Sequence, residues 1–192
     1  GEVLYELVDT PGFQRARRAL AWLRNASTSA ADRAQSVARF VEQHDADPAM
    51  RAEVELLGPV VGGAGIIYVV DGAVPYGPEY EAEMEILRWT GRPSLAVINP
   101  IGGRAHVGQW HDALSQFFRV VREVDVLSAP LEQRLDLLRA FGELDEAWRP
   151  ALAKAVAALT GQREANRRRA AVLVAQLLAE ALSATFSQTL SE

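Results

Sequence analysis

A chain of 192 residues that is 49% hydrophobic and 23% charged is long enough for one ordinary core with a helical appendage, and too apolar to be disordered. Its formal charge of −5 gives no global field for nucleic acid, so no nucleic-acid partner is expected, and the lack of cysteine excludes a disulfide framework, a thiolate zinc site and a cysteine nucleophile. The start, Gly1-Glu2-Val3-Leu4, has no basic leader segment, and no apolar run reaches the ~20 residues that span a bilayer, so a cytoplasmic location is expected. The missing initial methionine suggests that natural sequence precedes Gly1.

In chain order, residues 3–8 are a short apolar, branched run ending in the turn residues Asp9-Thr10-Pro11-Gly12, which predicts a strand running into a loop. Residues 27–43 and 48–57 are rich in Ala, Arg and Glu and predict a helical insertion, at about residues 25–60, between the first and second strands. Residues 65–71 and 94–99 are nearly continuous apolar runs, as in parallel strands buried on both faces. Between them residues 79–89 carry helical spacing that Gly91-Arg92-Pro93 stops, completing a strand-helix-strand crossover. Residues 107–118 predict an amphipathic helix, and residues 120–127, interrupted by Arg122, Glu123 and Asp125, an edge strand. Residues 131–141, 148–159 and 162–190 are helical throughout.

The chemistry is expected where the strands end. In open parallel sheets ligands bind outside the carboxyl ends, which puts Asp9-Thr10-Pro11-Gly12, Asp71-Gly72, Asn99-Pro100 and Ser128-Ala129 on one rim. A strand ending in Asp-x-x-Gly suits phosphoryl chemistry: the carboxylate holds magnesium through water, and the glycine lets a backbone N–H approach the terminal phosphate. Alone the tetrapeptide is an ordinary turn; the Val-Val-Asp and Val-Ile-Asn strands that follow in order favour the functional reading.

Leu7-Val8-Asp9-Thr10-Pro11-Gly12-Phe13, Ile67-Tyr68-Val69-Val70-Asp71 and the run from Gly91 to Asn99 together resemble the Era-like branch of translation-factor-related GTPases, and more narrowly bacterial GTPases fused to a C-terminal domain of unknown function. The resemblance covers roughly residues 1–130 and leaves 131–192 as a helical C-terminal region. It implies a three-layer, P-loop NTPase-like, mostly parallel α/β sheet, here incomplete, with GTP or GDP and Mg2+ as ligands and a protein effector. It places the catalytic switch at Asp9, Thr10 and Gly12, with Asp9 serving the metal, and the base site at Asn99, Ser128 and Ala129. Phe13 stands where many small GTPases have a catalytic glutamine, which implies the subgroup that orients water by other means.

Three departures temper what the resemblance implies. Asn99-Pro100-Ile101-Gly102 keeps the asparagine of Asn-Lys-x-Asp but neither the lysine nor the guanine-reading aspartate, so Asn99 either pins a base or ties loops together. Ser128-Ala129 before Pro130 fits a base-supporting loop and a helix N-cap equally. No Gly-x-x-x-x-Gly-Lys-Ser/Thr loop is present in the 192 residues; Gly62-Gly63-Ala64-Gly65 precedes a strand and reads as a flexible lead-in.

His106 and His111, five apart beside Asp112, do not fit the four-residue spacing of a helical metal pair and read as solvated histidines at a helix start. Arg163, Arg167, Arg168 and Arg169 precede an apolar face of Val174, Leu177, Leu178, Leu182 and Phe186. Such a helix suits peripheral contact with an anionic membrane, but a helix packed on the domain, or cut from a larger helical domain, is the preferred reading. The expectation is therefore a GTP-binding switch whose intact parent hydrolyses GTP. The alternatives are a non-hydrolysing relative used as an interaction platform, and an unrelated α/β binding module.

Overall fold

The computed structural model describes residues 2–183. The chain is α/β, with a three-stranded sheet in the order β1-β2-β3, where β1 is Ile66–Asp71, β2 Ser94–Asn99 and β3 Val121–Glu123. All pairing is parallel. Strand β2 is central and buried from Leu95 through Asn99, which is why its sequence is a continuous apolar run.

Helices α1 (Ala16–Ala26), α2 (Arg33–His44) and α3 (Arg51–Val61) precede the sheet. In α1 the buried positions Ala16, Ala19, Leu20 and Leu23 step by threes and fours, so one stripe faces the core. At the far end of α3, Arg92 donates to the carbonyls of Val60 and Val61 at 3.2 and 3.3 Å, satisfying acceptors that the helix end leaves free. Helix α4 (Glu79–Trp89) carries the crossover from β1 to β2 and ends at Gly91, whose φ of 65° is the left-handed conformation that glycine adopts without strain. These helices, with α5 (Val107–Leu114), share one hydrophobic core with Ile66 and Val70 of β1 and Ala96 and Ile98 of β2.

The opposite face of β2 forms a second, smaller core, in which Leu95 and Val97 pack with Val124 and with Leu137, Ala140 and Phe141 of α6 (Leu131–Gly142). Helix α7 (Arg149–Ser183) packs beside α6 through Leu152, Ala155 and Val156. Gly65, ahead of β1, is no mere flexible lead-in: a Cβ there would lie 2.6 Å from the Phe141 ring, and the Trp148 ring crowds the same spot. Its lack of a side chain is what lets the stacked Phe141–Trp148 pair close over the start of β1.

Several expectations are corrected. The strand at residues 3–8 does not form; residues 2–13 have no regular structure and, among the described residues, make no backbone–backbone hydrogen bond. A strand exists only with a ladder partner, and among the described residues β1 pairs on one edge alone, with β2. Val3, Leu7 and Val8 consequently stay exposed. The helical segment is thus not an insertion between two strands but precedes the sheet, and it gains α1, which the sequence reading omitted. The helix expected to Phe118 stops at Leu114, after which Phe118 folds back to stack on Tyr68 at 5.5 Å. The edge strand shortens to Val121–Glu123, and the two C-terminal helices expected after Trp148 are one, with Gly161 inside it; residues 184–190 of that expectation lie outside the described residues.

Candidate functional site

Because β1 and β2 pair in register from Ile66↔Ser94 to Asp71↔Asn99, their polar terminal residues stand side by side. Gly72 N–H donates to the Asn99 carbonyl at 3.0 Å, and the Gly72 carbonyl accepts from His106 N–H at 3.1 Å. A Cβ on Gly72 would meet Val107 at 2.8 Å and Ile98 at 3.1 Å, so glycine is what allows the two strand ends and the start of α5 to close together. Asp71 turns its carboxylate back on the loop, accepting from Ala73 N–H at 2.8 Å.

Asn99 is buried, and its side-chain oxygen accepts from Val126 N–H at 3.2 Å. This bond ties the end of β2 to the loop after β3. That loop is organised by Asp125, whose carboxylate accepts from Ser128 Oγ at 2.6 Å and from the N–H groups of Leu127 and Ser128 at 3.0 and 3.3 Å. The Ser128 hydroxyl, then its amide and that of Leu127, hold the Asp125 carboxyl below the usual carboxylate range. Ser128 does not cap α6: the N-cap position is Pro130, with no side-chain hydrogen bond. Asn99 is thus linked through Val126 to the loop that Asp125 and Ser128 organise, while Ala129 is buried in the smaller core with Leu95, Val97 and Val124.

Asp9, Thr10 and Gly12 are not joined to this cluster by any hydrogen bond among the described residues. Asp9 and Gly12 are exposed and Thr10 is half-buried. A Cβ on Gly12 would meet nothing within 4 Å, and its φ lies outside the left-handed region, so the fold itself does not require glycine there. The loop is fastened at its far end, where Phe13 packs on the main core and where Glu53 reaches across from α3. Glu53 is 0% exposed, and one carboxylate oxygen accepts from Gln14 N–H at 2.8 Å and Arg15 N–H at 2.5 Å. Those amides open α1, so the carboxylate serves as its N-terminal cap from a distant position. Its other oxygen, Oε2, is buried without a partner. Sequence reasoning missed Glu53; its signal, an acidic residue on a helix that otherwise buries apolar ones, becomes visible only once the helices are packed.

Asp9 supplies one hard oxygen of the kind magnesium prefers, but no group of three or more His, Asp or Glu side chains gathers among the described residues. The residues present therefore do not make a magnesium site by themselves. His106 sits at the start of α5 with Nδ1 3.2 Å from Gln109 Oε1. No helix of the described residues is long and apolar enough to cross a membrane.

Residues 111–192 match the family model described as a domain of unknown function, DUF3482. The match spans the second half of α5, β3, α6 and α7. No curated protein and no solved structure matches the chain.

Proposed function

We propose that this chain carries the switch and base parts of a P-loop-type GTP-binding domain, with the layered fold that implies, and that the intact protein binds and hydrolyses GTP as a molecular switch in the cytoplasm. The observation that supports this most is the Asn99–Val126 hydrogen bond, which ties the end of β2, beside Asp71, to the loop after β3. A base held at that rim would meet Asn99 and the Ser128-Ala129 loop, while Asp9 and Gly12, in a segment that makes no backbone–backbone hydrogen bond among the described residues, would move toward a terminal phosphate. In this reading Gly12 leaves room for a phosphate oxygen at its amide, and Asp9 contributes a single ligand to a nucleotide-bound magnesium ion. The effector is a protein that reads the position of the loop.

Guanine preference is expected to be weak. A side chain at Gly102 would point at Ala73, 3.4 Å away, rather than at a ring, and the neighbouring Asp125 already accepts three hydrogen bonds within its own turn. The reading requires a phosphate-binding loop that the 192 residues do not hold. The test therefore titrates a fluorescent guanine nucleotide against this chain and against a chain extended by the residues encoded ahead of Gly1. The expected result is no measurable binding by the shorter chain and magnesium-dependent binding by the longer, in which Asp9→Ala lowers hydrolysis by orders of magnitude. Absence of binding by the longer chain overturns the reading, and tight binding by the shorter one shows that other residues hold the phosphates.

A further inference from the structure

The distal half of α7 presents an apolar stripe that nothing covers among the described residues. Residues 164–183 are exposed throughout, including Val174 at 56% and Leu177 at 66%. This stripe is not a new face of the helix. Residues three and four apart share a helical face, and the face that buries Leu152, Ala155 and Val156 against α6 runs on by such steps through Leu159, Arg163 and Arg167. It continues to Ala170, Val174, Leu177 and Ala181. Helix α6 covers the first part, as far as the 3.1 Å contact of Arg163 with Glu132, and the rest is left bare.

We propose that a second copy of this chain covers the bare part, with the two α7 helices packed antiparallel. The charges along α7 select that arrangement. In a parallel, in-register pair, Arg163 and Arg167 would each face their own copies at seam positions, setting like charges against each other in the contact. Running antiparallel, Val174 lies opposite Leu177 of the second copy, and Ala170 opposite Ala181, small residues that let the backbones approach. Arg169 and Glu180 lie on the same flank of the stripe, separated from each other by 11 residues, or about three turns. The same flanks meet in an antiparallel pair, so Arg169 of each chain stands beside Glu180 of the other, twice by symmetry. An anionic membrane is a poorer occupant of the bare apolar part, because residues 170–183 carry Glu180 and no basic residue. The overlap from Ala170 to Ala181 spans about 18 Å, short of a standard interface, so the association is reversible and dependent on concentration.

Sedimentation equilibrium of the full chain across a concentration series tests this, with Arg169→Glu, Glu180→Arg and the double exchange as variants. Each single reversal is expected to weaken dimerisation about tenfold, since it puts two like-charged pairs in place of two opposite ones, and the double exchange to restore it to within about threefold. Leu177→Glu, at an exposed position that the monomer does not use, should abolish the dimer and leave the circular dichroism spectrum unchanged. A chain that stays monomeric up to its solubility limit overturns the proposal. So does a dimer indifferent to Leu177→Glu, or one lost in the double exchange as fully as in the singles. Sedimentation with phosphatidylglycerol vesicles by a chain that does not dimerise would assign the stripe to a membrane instead.

Discussion

Removing the Glu53 carboxylate should loosen the loop that carries Asp9 and Gly12 while leaving the sheet in place. In the structure one oxygen of this buried side chain receives the N–H groups of Gln14 and Arg15 at 2.8 and 2.5 Å. Hydrogen bonds to a charged acceptor contribute about 1.5–3 kcal/mol each, and loss of a helix cap costs about 0.5–2 kcal/mol. Two effects offset this in Glu53→Ala. The exposed Gln14 and Arg15 find water for their amides, and the unpartnered Oε2, whose burial costs about 1–3 kcal/mol, disappears with the side chain. The net expectation is a loss of about 2 kcal/mol, seen as a fall in Tm of about 4–8 °C for a chain of this size. Glu53→Gln keeps an oxygen for the two amides but puts a buried donor where Oε2 was, and should lose about half as much. Urea denaturation gives the stability, and hydrogen exchange at Gln14 and Arg15, with trypsin cleavage after Arg15, gives the local effect. If Glu53→Ala unfolds within about 0.5 kcal/mol of the parent chain and exchange at both amides is unchanged, the carboxylate does not anchor this loop.

Two glycines should answer oppositely to alanine. Gly65→Ala drives a methyl group into the Phe141 and Trp148 rings and should cost about 1–3 kcal/mol by denaturant unfolding, whereas Gly12→Ala should change stability by less than about 0.5 kcal/mol yet lower hydrolysis in a nucleotide-binding longer chain. Burial pushes the Glu83 carboxyl above its ordinary value, outweighing the 2.7 Å hydrogen bond that the Tyr68 hydroxyl donates to it. A raised carboxyl favours the fold below the unfolded-state value of about 4.3 and loses that contribution as pH rises through the higher folded value. Glu83→Gln should therefore gain Tm relative to the parent chain as pH rises from the acid side toward neutrality, and a difference in Tm independent of pH would refute the assignment.

Strand β2 and helix α4 form at the residues the sequence marks, because their signals are local: an unbroken apolar run buried on both faces, and a helical period closed by Gly91. Helix α1 was harder to read for a local reason as well. No Ser, Thr, Asp or Asn stands at its N-cap, which is Arg15, since the cap arrives from Glu53, 38 residues away. The grouping of Asn99 with the Ser128-Ala129 loop was legible from parallel-strand topology, which fixes where strands end. The loop's dependence on Asp125 was not, since an Asp three residues before a Ser is common in any turn. Residues 3–8 show the converse failure. Their composition suits a strand, but a ladder requires a neighbour that local sequence does not disclose.

That missing ladder leaves β1 with an open edge, and the way the edge is exposed decides its cost. Ile67 and Val69 lie on the same face as Leu95 and Val97 of β2, but α6 covers only the latter pair; Val69 is 55% exposed. Had the edge bordered a buried slot, each unpaired N–H or C=O would cost about 1–3 kcal/mol and the chain would hardly fold. Where such an edge is open to water its groups are hydrated, and the penalty shifts from stability to association, because an apolar edge is a template for another strand. Val69→Lys should therefore slow irreversible aggregation of concentrated protein, measured by light scattering, with Tm unchanged within about 2 °C. It should not alter a reversible dimer formed through α7, whose residues are elsewhere in the chain. Aggregation at an unchanged rate would mean that the edge of β1 is not the surface through which copies of this chain stick together.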